Sequence, residues 1–200
     1  MQAVVEAVRA GRVAAVVQVV VSNQPEAPGL TWARESGIET LVVPHRDYPT
    51  RAAYDQALVA ALRERGVQMV VLAGFMRVLG PLFCDAFPHA ILNVHPSLLP
   101  AFPGVDAQRQ AFEYGVTVTG VTVHFVTPEL DAGPVVAQAT VPVRADDTVD
   151  TLRARILAEE HRLLPEALAR VIGGGWRVDG RRVRWDQASR TADRGLETGD

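Results

Sequence analysis

Residues 90–104, AILNVHPSLLPAFPG, decide how the rest of the chain is read. The stretch opens as an apolar run with strand character, Ile91, Leu92 and Val94, interrupted by Asn93 and His95. A proline-punctuated loop follows. Residues two apart on a strand project to the same side, with roughly 6–7 Å between side-chain origins. Pro96 cannot donate to a ladder, so the strand stops just after the polar pair. In an open α/β sheet, ligands bind outside the carboxyl ends of the strands. An amide there can donate to a developing oxyanion, and an imidazole can give or take a proton near neutral pH. The spacing suits acyl transfer, and it suits equally well the capping of loop backbone groups.

Working outward, helices and strands alternate on both sides of this stretch. Val4, Val5 and Val8 recur at helical spacing and Gly11 closes the helix. Residues 13–23, VAAVVQVVVSN, form a β-branched run that reads as a strand buried on both faces, as in parallel sheets. A short helix closed by Gly37, a strand at 38–44, a long helix between Thr50 and Gly66, a strand at 68–74 and a broken helix at 77–87 precede the central stretch. Beyond a helix at 106–115, two long strands at 116–127 and 134–143 are joined by PELDAG, and a long helix covers 147–172. Residues 173–175, GGG, stop that helix, and WRVDGRRVRW turns as a hairpin at Asp179-Gly180. The fold class expected is α/β, a mostly parallel twisted sheet flanked by helices, with a C-terminal antiparallel hairpin. One domain spans 1–186, and 187–200 form a polar, disordered tail.

Composition narrows the function. The 200 residues carry a net charge of −3, without the basic excess of a nucleic-acid-binding surface. No apolar run reaches membrane-spanning length, and Glu6 and Arg9 interrupt any signal-peptide pattern. The single cysteine, Cys84, reads as a packed hydrophobe and fits a reducing cytoplasm. All 20 basic residues are arginine, which excludes a Schiff-base or P-loop lysine. The Cys and His residues show no metal-ligand spacing.

A third polar residue bears on the central pair. Asp131 lies in the PELDAG loop, followed by Ala132-Gly133-Pro134. A carboxylate near a histidine favours the imidazolium, as a general acid working near pH 7 requires. Asp in a Gly-Pro turn is also ordinary turn chemistry, and sequence alone does not bring the two loops together.

Four segments, VVLAGFMRVLG, ILNVHPSLLPAFPG, GVTVHFVTPELDAGPVVAQ and AEEHRLLPEAL, occur in an order that resembles the glycinamide ribonucleotide formyltransferase family of purine (IMP) biosynthesis. NVHPSLLP marks the wider formyltetrahydrofolate-using group; PAFPG and EEHRLLPEAL point to this member of it. The resemblance runs from residue 1 to about residue 180. It implies a Rossmann-like formyltransferase fold and transfer of a formyl group from 10-formyltetrahydrofolate to the amine of glycinamide ribonucleotide. The implied route is direct amine attack through a tetrahedral intermediate, with no metal. By the family's motifs, Asn93 would polarise the formyl carbonyl, His95 would donate the proton, and Asp131 would hold His95 and raise its pKa. Met76, Arg77, Val78 and Leu79 would lie along the folate, with Asn93 beside it, and Arg51 would serve the folate or the ribonucleotide phosphate. Gly74, Pro96 and Glu160 would lie near the ribonucleotide, and His124 near the site; its alternation with Val123 and Phe125 equally fits a structural role. The partners implied are small molecules in the cytoplasm, with no nucleic acid or membrane, and a homodimer is allowed.

Against that family, the sequence lacks an opening strand and a loop of the type S-G-x-G-[ST]-N that leads a helix N-terminus to a phosphate. The domain is therefore expected to be N-terminally incomplete, with two strands left short of a ladder partner. Adding upstream codons is expected to restore folding. Two alternatives remain open: another formyltetrahydrofolate-using transferase or hydrolase, and a folate-binding remnant without activity.

Overall fold

The computed structural model describes residues 1–186; the tail expected at 187–200 lies outside the described residues. The chain runs α1 (Gln2–Arg9), β1 (Val20–Ser22), α2 (Pro28–Glu35), β2 (Thr40–Val42), α3 (Arg51–Glu64), β3 (Val70–Leu72), α4 (Pro81–Ala86), β4 (Ile91–His95), α5 (Ala107–Tyr114), β5 (Val118–Phe125), β6 (Val135–Pro142), α6 (Val149–Ile172), β7 (Trp176–Asp179) and β8 (Arg182–Trp185). Most helix ends fall close to where the sequence places them; α4 is shorter than the expected 77–87, starting at Pro81, which takes the first helical turn where no N–H is needed. The Thr50 hydroxyl accepts from the Ala53 N–H at the start of α3, and Thr148 and Thr151 form a reciprocal capping box at the start of α6. Gly173 ends α6, and Gly174 and Gly175 follow with φ of +74° and +70°.

Parallel pairing dominates the first half and antiparallel pairing the second. β1 pairs with β2 and β3 with β4, both in parallel. β5 runs antiparallel between β4 and β6, and the β7–β8 hairpin joins through a short parallel contact of β8 with β6. Among the described residues the strands form two sheets, β1-β2 and β3-β4-β5-β6-β8-β7.

One expectation is corrected. The run at 13–23 is not a long strand buried on both faces: only Val20–Ser22 is strand, all three residues are half-buried, and Val16 is 77% exposed. The reason is pairing. β2 begins only at Thr40, and no strand among the described residues lies on the other side of β1, so residues 13–19 have no ladder to join.

Two apolar clusters hold the elements together. One packs α6 and α1 onto the larger sheet through Ile156, Leu164, Leu168, Val4, Val121, Val123 and Phe125. The other joins α3 and α4 to the parallel strands through Tyr54, Leu58, Leu62, Phe83 and Ile91, and takes in Cys84. Both reach β4 (Leu92 in the first, Ile91 in the second), so the strand is anchored from two faces just before Asn93 and His95.

Candidate active site

β4 places Asn93 and His95 at its C-terminal end, and its antiparallel partner supplies a further histidine. The register sets Asn93 opposite His124 and His95 opposite Thr122. Side chains of directly opposed residues interact, and here the Asn93 Nδ2 lies 3.3 Å from the His124 Nε2. The His124 Nδ1 lies 2.9 Å from the Phe125 carbonyl oxygen, which can only accept, so Nδ1 carries the proton. Nε2 of the neutral ring is then an acceptor, and the Asn93 amide must turn an N–H toward it. Burial lowers the pKa of His124 and keeps this ring neutral; the Phe125 hydrogen bond and Asp131 pull the other way, and His95 and Arg181 push further down. His124 thereby sets which way the Asn93 amide faces.

The Asp131 loop reaches the same point. Asp131 Oδ2 lies 3.5 Å from His95 Nδ1, Oδ1 lies 3.8 Å from His124 Nε2, and all three side chains are nearly buried. The loop is fixed in two ways. The Gly104 N–H donates to Asp131 Oδ2 at 2.7 Å. A Cβ at Gly133 would stand 1.8 Å from the Phe125 carbonyl oxygen, so only glycine lets the chain pass this close to β5.

His95 meets a second acceptor at its other nitrogen. Nε2 lies 2.8 Å from the Phe102 carbonyl oxygen. Two ring nitrogens facing two acceptors match the two N–H groups of an imidazolium. Phe102 sits at φ +52°, and Ser97 Oγ donates to the Ala101 and Phe102 carbonyls at 2.6 and 3.3 Å. Thr122 fixes the base of this loop: its hydroxyl donates to the Ser97 carbonyl at 2.7 Å and accepts from the Leu99 N–H at 3.0 Å. Gln138 donates to the Leu99 carbonyl at 2.9 Å and to the Thr122 hydroxyl at 3.0 Å.

The residues expected along a folate form a second group. Met76 and Val78 are exposed, at 84% and 45%, whereas Leu79 is buried in the core. The Arg77 guanidinium lies over the Tyr54 ring, 5.6 Å from its centroid. Asp55 anchors the segment: it is 2% exposed and accepts the Gly80 N–H at 2.8 Å. Burial raises its pKa; the Gly80 hydrogen bond and the charges of Arg51 and Arg77 draw it back down. Sequence reasoning missed Asp55. The available signal is its spacing, three and four residues before the buried Leu58 and Val59, which puts a carboxylate on the apolar stripe of α3.

Of the remaining expected residues, Gly74 is exposed at φ +71° and Pro96 is half-buried beside the central pair. Glu160 lies on α6, where burial pushes its carboxyl up to about 7 against the pull of the Met1 amine. Among the described residues, no group of three His, Cys, Asp or Glu side chains is arranged to hold a metal ion, and no helix is long and apolar enough to cross a membrane.

An Asn–His–His–Asp cluster at a strand end, with both histidine side chains and the carboxylate nearly buried, is chemistry, and comparison with known proteins names its setting. Residues 1–168 match the formyl transferase family. The chain belongs to that family. It is 41% identical over 181 residues to the phosphoribosylglycinamide formyltransferase of Escherichia coli, covering 90% of this chain and 82% of that one. The crystal structure of glycinamide ribonucleotide transformylase 1 from Symbiobacterium toebii superposes with a TM-score of 0.91 at 50% identity, over 93% of this chain and 88% of that one. The trifunctional purine biosynthetic protein adenosine-3 of Homo sapiens is 43% identical over 174 residues, and this formyl transferase chain spans 17% of its length. For the Bos taurus protein of the same name the share is 18%.

Proposed function

We propose that the chain transfers the formyl group of 10-formyltetrahydrofolate to the primary amine of glycinamide ribonucleotide. The observation that carries this reading is the buried carboxylate of Asp131, 3.5 Å from His95 and 3.8 Å from His124, beside the strand end that presents Asn93. Membership of the formyl transferase family and similarity to the Escherichia coli and Symbiobacterium toebii proteins support it.

The chemistry divides among the residues as follows. An uncharged amine attacks the formyl carbon, a C–N bond forms, and negative charge grows on the formyl oxygen. The Asn93 amide spends one N–H on His124 and has its second for that oxygen. The new bond leaves the amine nitrogen with a proton to lose, and the departing folate nitrogen needs one. His95 is the donor, with Asp131 as the fixed counter-charge to its imidazolium. The Nε2 proton now engaged by the Phe102 carbonyl becomes transferable when an incoming acceptor replaces that oxygen. Met76 and Val78 offer exposed apolar surface to the folate, and Arg51 a nearby charge. Glu160, Gly74 and Pro96 serve the ribonucleotide. Small soluble substrates and a lone buried thiol, Cys84, support a cytoplasmic setting.

The test is a formyl-transfer assay with both substrates, following formylated ribonucleotide directly. Asn93→Ala and His95→Ala are expected to lower turnover by roughly 10²–10³, with folate affinity held within about threefold, since Met76–Leu79 lie outside the cluster. Formate release at the same rate without ribonucleotide would identify a hydrolase instead. Folate binding without any turnover would identify a remnant.

A further inference from the structure

A cavity lies on the C-terminal hairpin, outside the cluster at Asn93 and His95. It measures about 640 Å³ and is lined by Arg170, Arg177, Arg181, Arg182 and Arg184, with Trp185 among its other walls. The alternation of the hairpin explains the crowding. Val178 and Val183 pack inward against the sheet, so Arg177, Arg182 and Arg184 all project to the opposite, exposed face. The register then sets Arg177 directly across from Arg184. Like charges directly opposed on a sheet are destabilising.

Among the described residues, the nearby carboxylates are fewer than the guanidinium groups. Asp179 holds the Arg184 Nε at 2.6 Å, and Asp186 lies 3.7 Å from Arg177. Arg170 stacks over the Trp185 ring at 3.9 Å from its centroid, which fixes one guanidinium at the wall. Arg181 and Arg182 form no ion pair with any described residue. Among the described residues, five guanidinium groups line this cavity, and Arg177 and Arg184 are the two of them with a carboxylate within ion-pair distance.

We infer that this cavity is a binding site for a small polyphosphate anion. The argument has three parts. Planar guanidinium groups bind phosphate oxygens in bidentate fashion, which lysine does not. The volume is that of a small-molecule site rather than a polymer track. A ligand carrying three or more negative charges removes the Arg177–Arg184 repulsion and supplies partners for Arg181 and Arg182. This site stands apart from the formyl-transfer reading: its arginines make no hydrogen bond or ion pair with Asn93, His95 or Asp131, and Arg181 reaches the cluster only through its charge at His124.

The experiment is calorimetric titration of the full chain with inorganic tripolyphosphate and, in parallel, with a nucleoside triphosphate. Tripolyphosphate binding in the micromolar range is expected, weakened at least tenfold in Arg181→Gln/Arg182→Gln and weakened by added salt. Equal affinity for the two ligands assigns recognition to the phosphate chain alone; tighter nucleotide binding adds a base contact to it. Both side chains are exposed, so a matched thermal midpoint is expected to show that the double variant folds. Absence of binding at millimolar ligand, or equal affinity in the double variant, overturns the site. A short RNA binding tenfold tighter than tripolyphosphate overturns the small-anion assignment.

Discussion

Replacing Asp131 by asparagine isolates the charge of the cluster from its shape. Asp131 sits at φ +50°, a left-handed conformation that asparagine also adopts readily. The asparagine oxygen can still accept the Gly104 N–H, which now reaches Oδ2 at 2.7 Å. What changes is the group facing the two histidines, from anion to neutral amide. Two unit charges at the observed 3.5 Å attract by about 4–5 kcal/mol at an effective dielectric constant of about 20. Desolvation of both groups cancels a large part of that. A net loss of about 2–3 kcal/mol in stabilising the proton-donating imidazolium corresponds to a fall in turnover of roughly 30–150-fold. Single-turnover and steady-state formyl transfer would measure it, beside a folate titration expected to stay within about threefold. Asp131→Ala serves as the contrast: it also orphans the Gly104 N–H, so it should add about 1–3 kcal/mol of destabilisation. An asparagine variant that keeps turnover within threefold of the parent across pH 6–9 would refute the counter-charge role.

Three further outcomes follow from the same geometry. Glu160, pushed up to about 7 from 4.5 by burial, has a folded-state pKa above its unfolded value, so the stability it contributes is present below about pH 4.5 and is lost as pH rises through about 7. Discounted for solvent screening, that is about 1–2 kcal/mol, or a thermal midpoint lower by about 2–8 °C at pH 8 than at pH 5; Glu160→Gln should abolish this component of the difference. A Cβ at Gly80 would stand 2.5 Å from Asp55 Oδ2, so Gly80→Ala should displace the buried carboxylate, lower stability by about 2–4 kcal/mol and weaken folate binding, measured by denaturant melts and titration. Gly133→Ala forces a Cβ to 1.8 Å from the Phe125 carbonyl oxygen and should cost more than about 3 kcal/mol together with most turnover, because the Asp131 loop cannot keep its path; an active, stable variant would contradict the described chain path.

By itself, the sequence determined the kinds of element and most of their ends. The hydroxyls of Thr50 and Thr148, the glycines after α2 and α3, and the period-two pattern of β5 are local signals, and local backbone energetics answer to them. It also determined that an amide and an imidazole share one side of a strand end, because strand alternation needs only two residues to express itself. The tertiary structure decided what those side chains meet. His124 faces Asn93 only because β5 returns antiparallel in a register set by burial of Val121, Val123 and Phe125, and a slip of one residue would have turned it away. Asp131 meets both histidines only because Gly133 lets its loop pass against β5. Pairing decided the extent of β1 as well: its β-branched residues have strand propensity, but β2 offers partners only from Thr40 to Val42, and no other strand among the described residues lies beside it. Asp55 and the arginine cavity belong to the same class. Propensity is a property of a segment, whereas a buried carboxylate's partner and a crowd of like charges exist only where separate segments are packed together.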